Sequence, residues 1–243
     1  DVYKRQSKSR SLGFWMEAMS SVIAWRLLAS ERGKLSAGPY HVIRGGVMPF
    51  NTIKTEERDG IYIITLNRPK AKNAMNSEMW QELCWAFDHL DETDSLRCCI
   101  ITNAGDCFCA GSDLKEIAAG TYHAPEGYEK SGFCGMTKRY IPKPIIAACQ
   151  GRVLGGGVEV VMACDLAVCS TESTFSLPEP RRGLTAAGGG LLMRIMQMVP
   201  QKAAMELMLT CEPFSAQKAL DCFLVNRVVE PDRGPVSYTH LRA

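Results

Sequence analysis

Residues 51–58 and 61–66, NTIKTEER and IYIITL, are two short strand-like runs on either side of Asp59-Gly60, the first with β-branched Thr52, Ile53 and Thr55 among polar residues and the second almost wholly apolar. The Asp-Gly pair favours the left-handed backbone of a tight turn, so the pattern predicts an antiparallel hairpin. The loop NRPKAKNAMN leads to Ser77, read as the N-cap of a helix with Met79, Leu83, Phe87 and Leu90 at helical spacing. LRCCIIT (96–102) and PIIAACQG (144–151) are continuous apolar runs of strand length, each followed by a glycine-bearing loop. A helix over VEVVMAC, a strand over DLAVCS and the segment TFSLPEP follow. Apolar helices are then expected around Leu191–Val199, Ala203–Leu209 and Ala216–Phe223, with a final strand at VNRVV. Alternation of strands and helices makes this an α/β chain. No repeat, low-complexity run or linker divides residues 48–230.

The ends differ from this middle. Residues 1–47 carry eight Lys/Arg against three Asp/Glu, or +5, and the remainder 20 against 23, or −3, which together give the formal +2. Residue 1 is Asp, and the apolar stretch 12–29 is interrupted by Glu17 and Arg26, too short and too charged to span a bilayer. Residues 1–47 are expected to be a targeting leader or foreign to the native product, 48–232 the working domain, and 233–243 a foreign tail. The body is mildly acidic and has no basic stripe, which argues against nucleic acid as a partner. Eleven cysteines with no CxxC pair, and four scattered histidines, point to reduced thiols serving as small hydrophobes in a reducing compartment, not to a zinc site.

Three segments carry candidate chemistry. In VLGGGVEVVMAC (153–164), three consecutive glycines stand between a strand and a helix. Such a turn brings outward-pointing amides close to a ligand, and suits a phosphate or a developing oxyanion. Glu159 is the only charged residue of that segment. A carboxylate among valines is paired, exposed or protonated; it can be a tuned acid or base, or can simply complement the helix dipole. Glu179 lies between Pro178 and Pro180, whose rings restrict the backbone on both sides. It reads either as a surface-loop residue or as the second member of an acid–base pair. DCFCAGSDLKE (106–116) offers another forward-pointing amide after a buried strand. Ser112 there has no GxSxG elbow around it and reads as a spectator side chain. The fingerprints GxGxxG after a strand, GxxxxGK[ST] and HExxH are missing from the sequence, which disfavours nicotinamide, P-loop and zincin chemistry.

Together NRPKAKNAMN, FCAGSDLKE, LGGGVEVVMACDLAV and FSLPEPRRGLTAAGGG, in this order and spacing, resemble the crotonase (enoyl-CoA hydratase/isomerase) family from about Met48 to Asp232. The resemblance implies a spiral of ββα units, with the family's C-terminal helical trimerisation segment largely missing from this chain. It implies oxyanion amides at Ser112 and Gly156, catalytic glutamates at Glu159 and Glu179, and CoA contacts along Ser112, Asp113, Leu114 and Lys115, with Lys72 near the CoA phosphates. No metal or redox cofactor is implied, since coenzyme A arrives as part of the substrate. The partners implied are an acyl-CoA thioester and, where the full-length tail is present, further copies of the chain as a trimer or dimer of trimers, with no nucleic acid and no membrane. Ser112 stands where the family often has alanine, and Ala186 and Ala187 where it often has proline and glycine.

With both glutamates present, the expected reaction is hydration of a 2-enoyl-CoA, or the reverse dehydration, in fatty-acid-type metabolism of the cytoplasm, or of the mitochondrial matrix should 1–47 be a transit peptide. An isomerase or a carnitinyl-CoA-type dehydratase is the alternative within the enzymes. A non-catalytic acyl-CoA binding protein is the alternative outside them, disfavoured because binding alone does not need two carboxylates in an apolar site.

Overall fold

Through the middle of this chain, successive strands alternate between two sheets. A computed structural model describes residues 40–43, 46–185 and 188–231, all within the compact unit Ser36–Pro231. The expectations for the rest of the leader, for the tail and for Ala186 and Ala187 lie outside the described residues. Tyr40–Ile43 (β1) and Gly46–Pro49 (β2) pair antiparallel, so the expected leader boundary at residue 47 falls inside a hairpin.

The larger sheet begins with Ile53–Arg58 (β3) and Ile61–Leu66 (β4), antiparallel across the turn at Asp59 and Gly60, both at positive φ. It continues in parallel through Cys98–Asn103 (β5), Ile145–Cys149 (β7), Leu166–Ser170 (β9) and Arg227–Val229 (β12). The smaller sheet takes the strands between: Cys107–Cys109 (β6), Arg152–Leu154 (β8) and Thr174–Ser176 (β10) run parallel, and Phe214–Ser215 (β11) closes it antiparallel. Each pair β5–β6, β7–β8 and β9–β10 therefore steps from one sheet to the other. The chain then turns through a glycine loop or a short helix, giving the expected spiral. Parallel strands covered on both faces read as unbroken apolar runs, and every residue of β5 and β7 is buried.

The helix Ser77–Glu92 (α1) packs Met79, Leu83, Phe87 and Leu90 into the core. Its N-cap is Asn76, not Ser77. The Asn76 side chain accepts from Met79 N–H at 3.1 Å, while the Ser77 amide and hydroxyl both donate to Glu116, at 2.8 and 2.9 Å. Two adjacent good capping residues leave the pattern one position ambiguous. Leu114–Ala119 (α2), Gly156–Ala163 (α3), Leu191–Met198 (α4), Gln201–Thr210 (α5) and Ala216–Asp221 (α6) complete the helices used below. All eleven cysteines are buried free thiols. Burial pushes the titration of Cys84, Cys109 and Cys169 up to about 12, and these thiols serve as inert packing groups.

Candidate active site

Four loops at the ends of these units meet around the start of α3. Gly155 adopts φ +52°, which only glycine takes freely, and donates to Ser176 O at 2.9 Å. The chain is thereby bent into α3, with Gly156 and Gly157 as its first turn. A β-carbon at Gly157 would lie 2.4 Å from the Cys109 carbonyl, so only glycine lets α3 pack directly on β6. Gly111, at φ +87°, approaches so closely that its β-carbon would stand 3.0 Å from Gly156 N. Residues 111–112 and 155–156, 44 positions apart in the sequence, are thus side by side. Among the described residues, neither the Ser112 nor the Gly156 N–H has a hydrogen-bond acceptor. Such amides can serve an oxyanion.

Met75 fixes the first of these segments by accepting from Asp113 N–H at 2.9 Å and donating to Gly111 O at 2.8 Å. Asp113 caps α2, accepting from Lys115 N–H at 3.0 Å, and takes Arg68 Nη1 at 3.1 Å. Burial alone would raise its pKa, but the guanidinium and the amides outweigh it and hold the carboxyl below its ordinary range. The Ser112 hydroxyl accepts from Tyr122 Oη at 3.1 Å. Tyr122, Trp80 and Phe133 form an aromatic wall, with ring centroids 5.7 Å apart for both Trp80 pairs. The Phe133 ring edge crowds Gly156, whose β-carbon would stand 2.8 Å from Phe133 Cζ.

Glu159 is only 5% exposed. Its Oε1 accepts from Gly189 N–H at 2.7 Å and Leu191 N–H at 3.3 Å. Burial raises its pKa above the ordinary carboxylate value, while the two amides and the charge of Arg194 oppose that rise. Glu179 opens the short helix Glu179–Arg182. Its Oε1 would lie 2.6 Å from a β-carbon on Gly155, and its Oε2 is buried without a partner. Burial, and then the charge of Glu159, push its pKa up. The two carboxyls are electrostatically coupled beside the paired amides, and they differ in how each is held.

The remaining expected residues lie at the rim. Leu114 and Lys115 are exposed on the first turn of α2. Lys72 Nζ is engaged by Asp106 at 2.9 and 3.1 Å, and Asp106 also takes Arg152 Nη2 at 2.9 Å. Any phosphate at Lys72 would share it with that carboxylate. Sequence reasoning passed over Gly189, Tyr122, Phe133 and Arg194. For Arg194 a signal existed: it is the only charged residue of LLMRIMQMV.

A model of the family described as Enoyl-CoA hydratase/isomerase matches residues 56–237. The chain belongs to the enoyl-CoA hydratase/isomerase family. Among curated members, it is 37% identical over 191 residues to the mevalonyl-coenzyme A hydratase of Beauveria bassiana, covering 75% of this chain and 68% of that one. It is 39% identical over 175 residues to the carnitinyl-CoA dehydratase of Proteus mirabilis, covering 71% and 66%. The solved carnitinyl-CoA dehydratase from Mycobacterium avium superposes with TM-score 0.72 at 41% identity, covering 78% of this chain and 73% of that one. This family member spans about two thirds of the length of its curated relatives.

Proposed function

We propose that this chain is an enoyl-CoA hydratase-like hydro-lyase, adding water across the C2–C3 double bond of a 2-enoyl-CoA or running the reverse dehydration. The observation that carries the reading is the unequal pair of carboxyls beside two acceptor-free amides. In this reading the Ser112 and Gly156 N–H groups donate to the thioester oxygen and stabilise the enolate that develops on attack. Glu159, accepting two amides near a guanidinium, is the better-stabilised anion and takes a proton from the bound water. The water oxygen bonds to C3. Glu179, with one oxygen unpartnered and a negative neighbour, holds its proton and gives it to C2. The roles reverse for dehydration, and net charge is conserved. Coenzyme A is part of the substrate, and we assign its contacts to Asp113, Leu114, Lys115 and Lys72.

Carnitinyl-CoA-type dehydration is the second reading. It needs the same pair, and the relatives of that name favour it over isomerisation. Two desolvated carboxyls also speak against simple acyl-CoA binding. Trimeric assembly is proposed on the apolar face of α4 and α5, where Met193 and Leu209 are 71% and 67% exposed. A cytoplasmic setting fits the free cysteines, and no helix among the described residues is long and apolar enough to cross a membrane.

The test is mass spectrometry of the full chain with a panel of 2-enoyl-CoA thioesters in oxygen-18 water. Labelled 3-hydroxyacyl-CoA is the expected product. Turnover only of a cationic 3-hydroxyacyl-CoA would select the second reading, and no labelled product from chain that binds CoA would overturn both.

A further inference from the structure

We propose that Arg194 is a positioning residue for Glu159, one guanidinium joining the turn that hydrogen-bonds this carboxylate to the loop that walls the paired amides. The inference rests on the acid–base reading above and adds a residue to it. Arg194 Nη1 donates to the Gly189 carbonyl at 2.7 Å, and Nη2 donates to the Thr137 carbonyl. Gly189 is the residue whose own N–H meets Glu159 Oε1, so its main chain is held through both its N–H and its carbonyl. Thr137 closes the loop that carries Phe133: its N–H reaches Phe133 O at 3.3 Å, and the next amide, Lys138, reaches Ser131 O at 2.9 Å. The Phe133 ring is the one against Gly156. A planar guanidinium can span two carbonyls in fixed directions, which a flexible ammonium cannot.

The charge is placed as well as the donors. Arg194 is half-buried and is the only charged residue of its helix, and among the described residues it makes no ion pair. Two carbonyls hold it beside Glu159 and leave its field uncancelled. The charged and titratable groups facing Glu159 are Arg194 from α4, Glu179 from the short helix after β10, and Cys134 from the Phe133 loop. Of these only Arg194 favours the ionised form.

The experiment is carbon-13 carboxyl titration of the full chain without substrate, the Glu159 signal being identified by its loss in E159Q, together with steady-state kinetics of R194Q and R194K. In R194Q the Glu159 titration moves to higher pH, and kcat falls by about 10- to 100-fold with KM changed less than about threefold. In R194K the titration stays near the wild-type position and part of kcat returns. In the E159Q background R194Q has little further effect on kcat, because Arg194 acts through Glu159. An unmoved titration in R194Q, or independent multiplication of the two kcat losses, overturns the inference. If R194Q does not fold, R194K decides: kcat must drop at an unshifted titration, and wild-type kcat overturns the proposal. Wild-type chain that turns over no acyl-CoA overturns the preceding reading instead, and the titration still decides this one.

Discussion

Gly189 sits directly on Glu159: its N–H donates to Oε1 at 2.7 Å, and a β-carbon there would lie 2.8 Å from the carboxyl carbon. The hydrogen bond and the close approach depend on each other, because any side chain at 189 would push the donor away. G189A is therefore expected to lower kcat by about 10- to 100-fold, and to reduce stability by about 1–3 kcal/mol for overpacking a buried site. Kinetics and thermal unfolding of the same preparation check both effects; wild-type kcat would show that this contact has no part in turnover.

E159Q and E179Q should each lower the hydration rate by about two to four orders of magnitude, the range for losing a general acid or base. A residue that keeps near-wild-type kcat after substitution has no acid–base role.

The pH dependence follows from the same pair. Hydration needs Glu159 ionised and Glu179 protonated, so kcat should rise through the Glu159 titration and fall through that of Glu179. The two limbs belong to the coupled pair. Burial raises both groups, so the rising limb lies above the ordinary carboxylate range. A profile that begins its rise where an exposed glutamate titrates would contradict this.

Stability carries the opposite sign from the usual carboxylate. A group with a folded-state pKa above its unfolded value contributes stability that is fully present below the unfolded pKa and lost as pH rises through the folded one. Once pH has risen past its raised folded-state titration, the ionised, partner-poor Glu179 is destabilising. E179Q should melt a few degrees higher than wild type at pH 8, with the gain shrinking toward pH 4. Melting curves across that range check it, and a lower melting temperature at pH 8 would refute it.

Much of this fold is written in short-range pattern. The turn at Asp59-Gly60, the buried runs that became β5 and β7, and the helical spacing of Met79 through Leu90 are local features, and each stands where the pattern put it. Boundaries slipped by a residue or two, at Asn76 and Ser77 because two good caps compete, and elsewhere, as at Cys98–Asn103 and Ala216–Asp221, because apolar pattern does not mark where backbone pairing begins or ends. Glu82 shows the limit. It reads as a polar position of an amphipathic helix, yet it is buried and accepts from the amides of Asn51, Thr52 and Ile53. That role comes from a strand about 30 residues away. The site divides the same way. The Gly155–Gly157 turn and the oddity of Glu159 are visible in one segment. The meeting of Ser112 with Gly156 is set by the step of the chain between two sheets, and only the likeness to a known family carried it. Arg194 was in plain view as a lone charge in an apolar helix, but its partners are backbone carbonyls, which have no letter in a sequence.

Both donors facing the proposed thioester oxygen are main-chain N–H groups, and this divides the site by what mutation can reach. Exchange of Ser112 for any residue but proline keeps the donor and alters only its surroundings, while Phe133 guards Gly156 against a larger neighbour. The carboxyls are side chains, and a single nucleotide change can remove either. Drift in such a chain can rewrite where protons go long before it disturbs how the acyl group is activated.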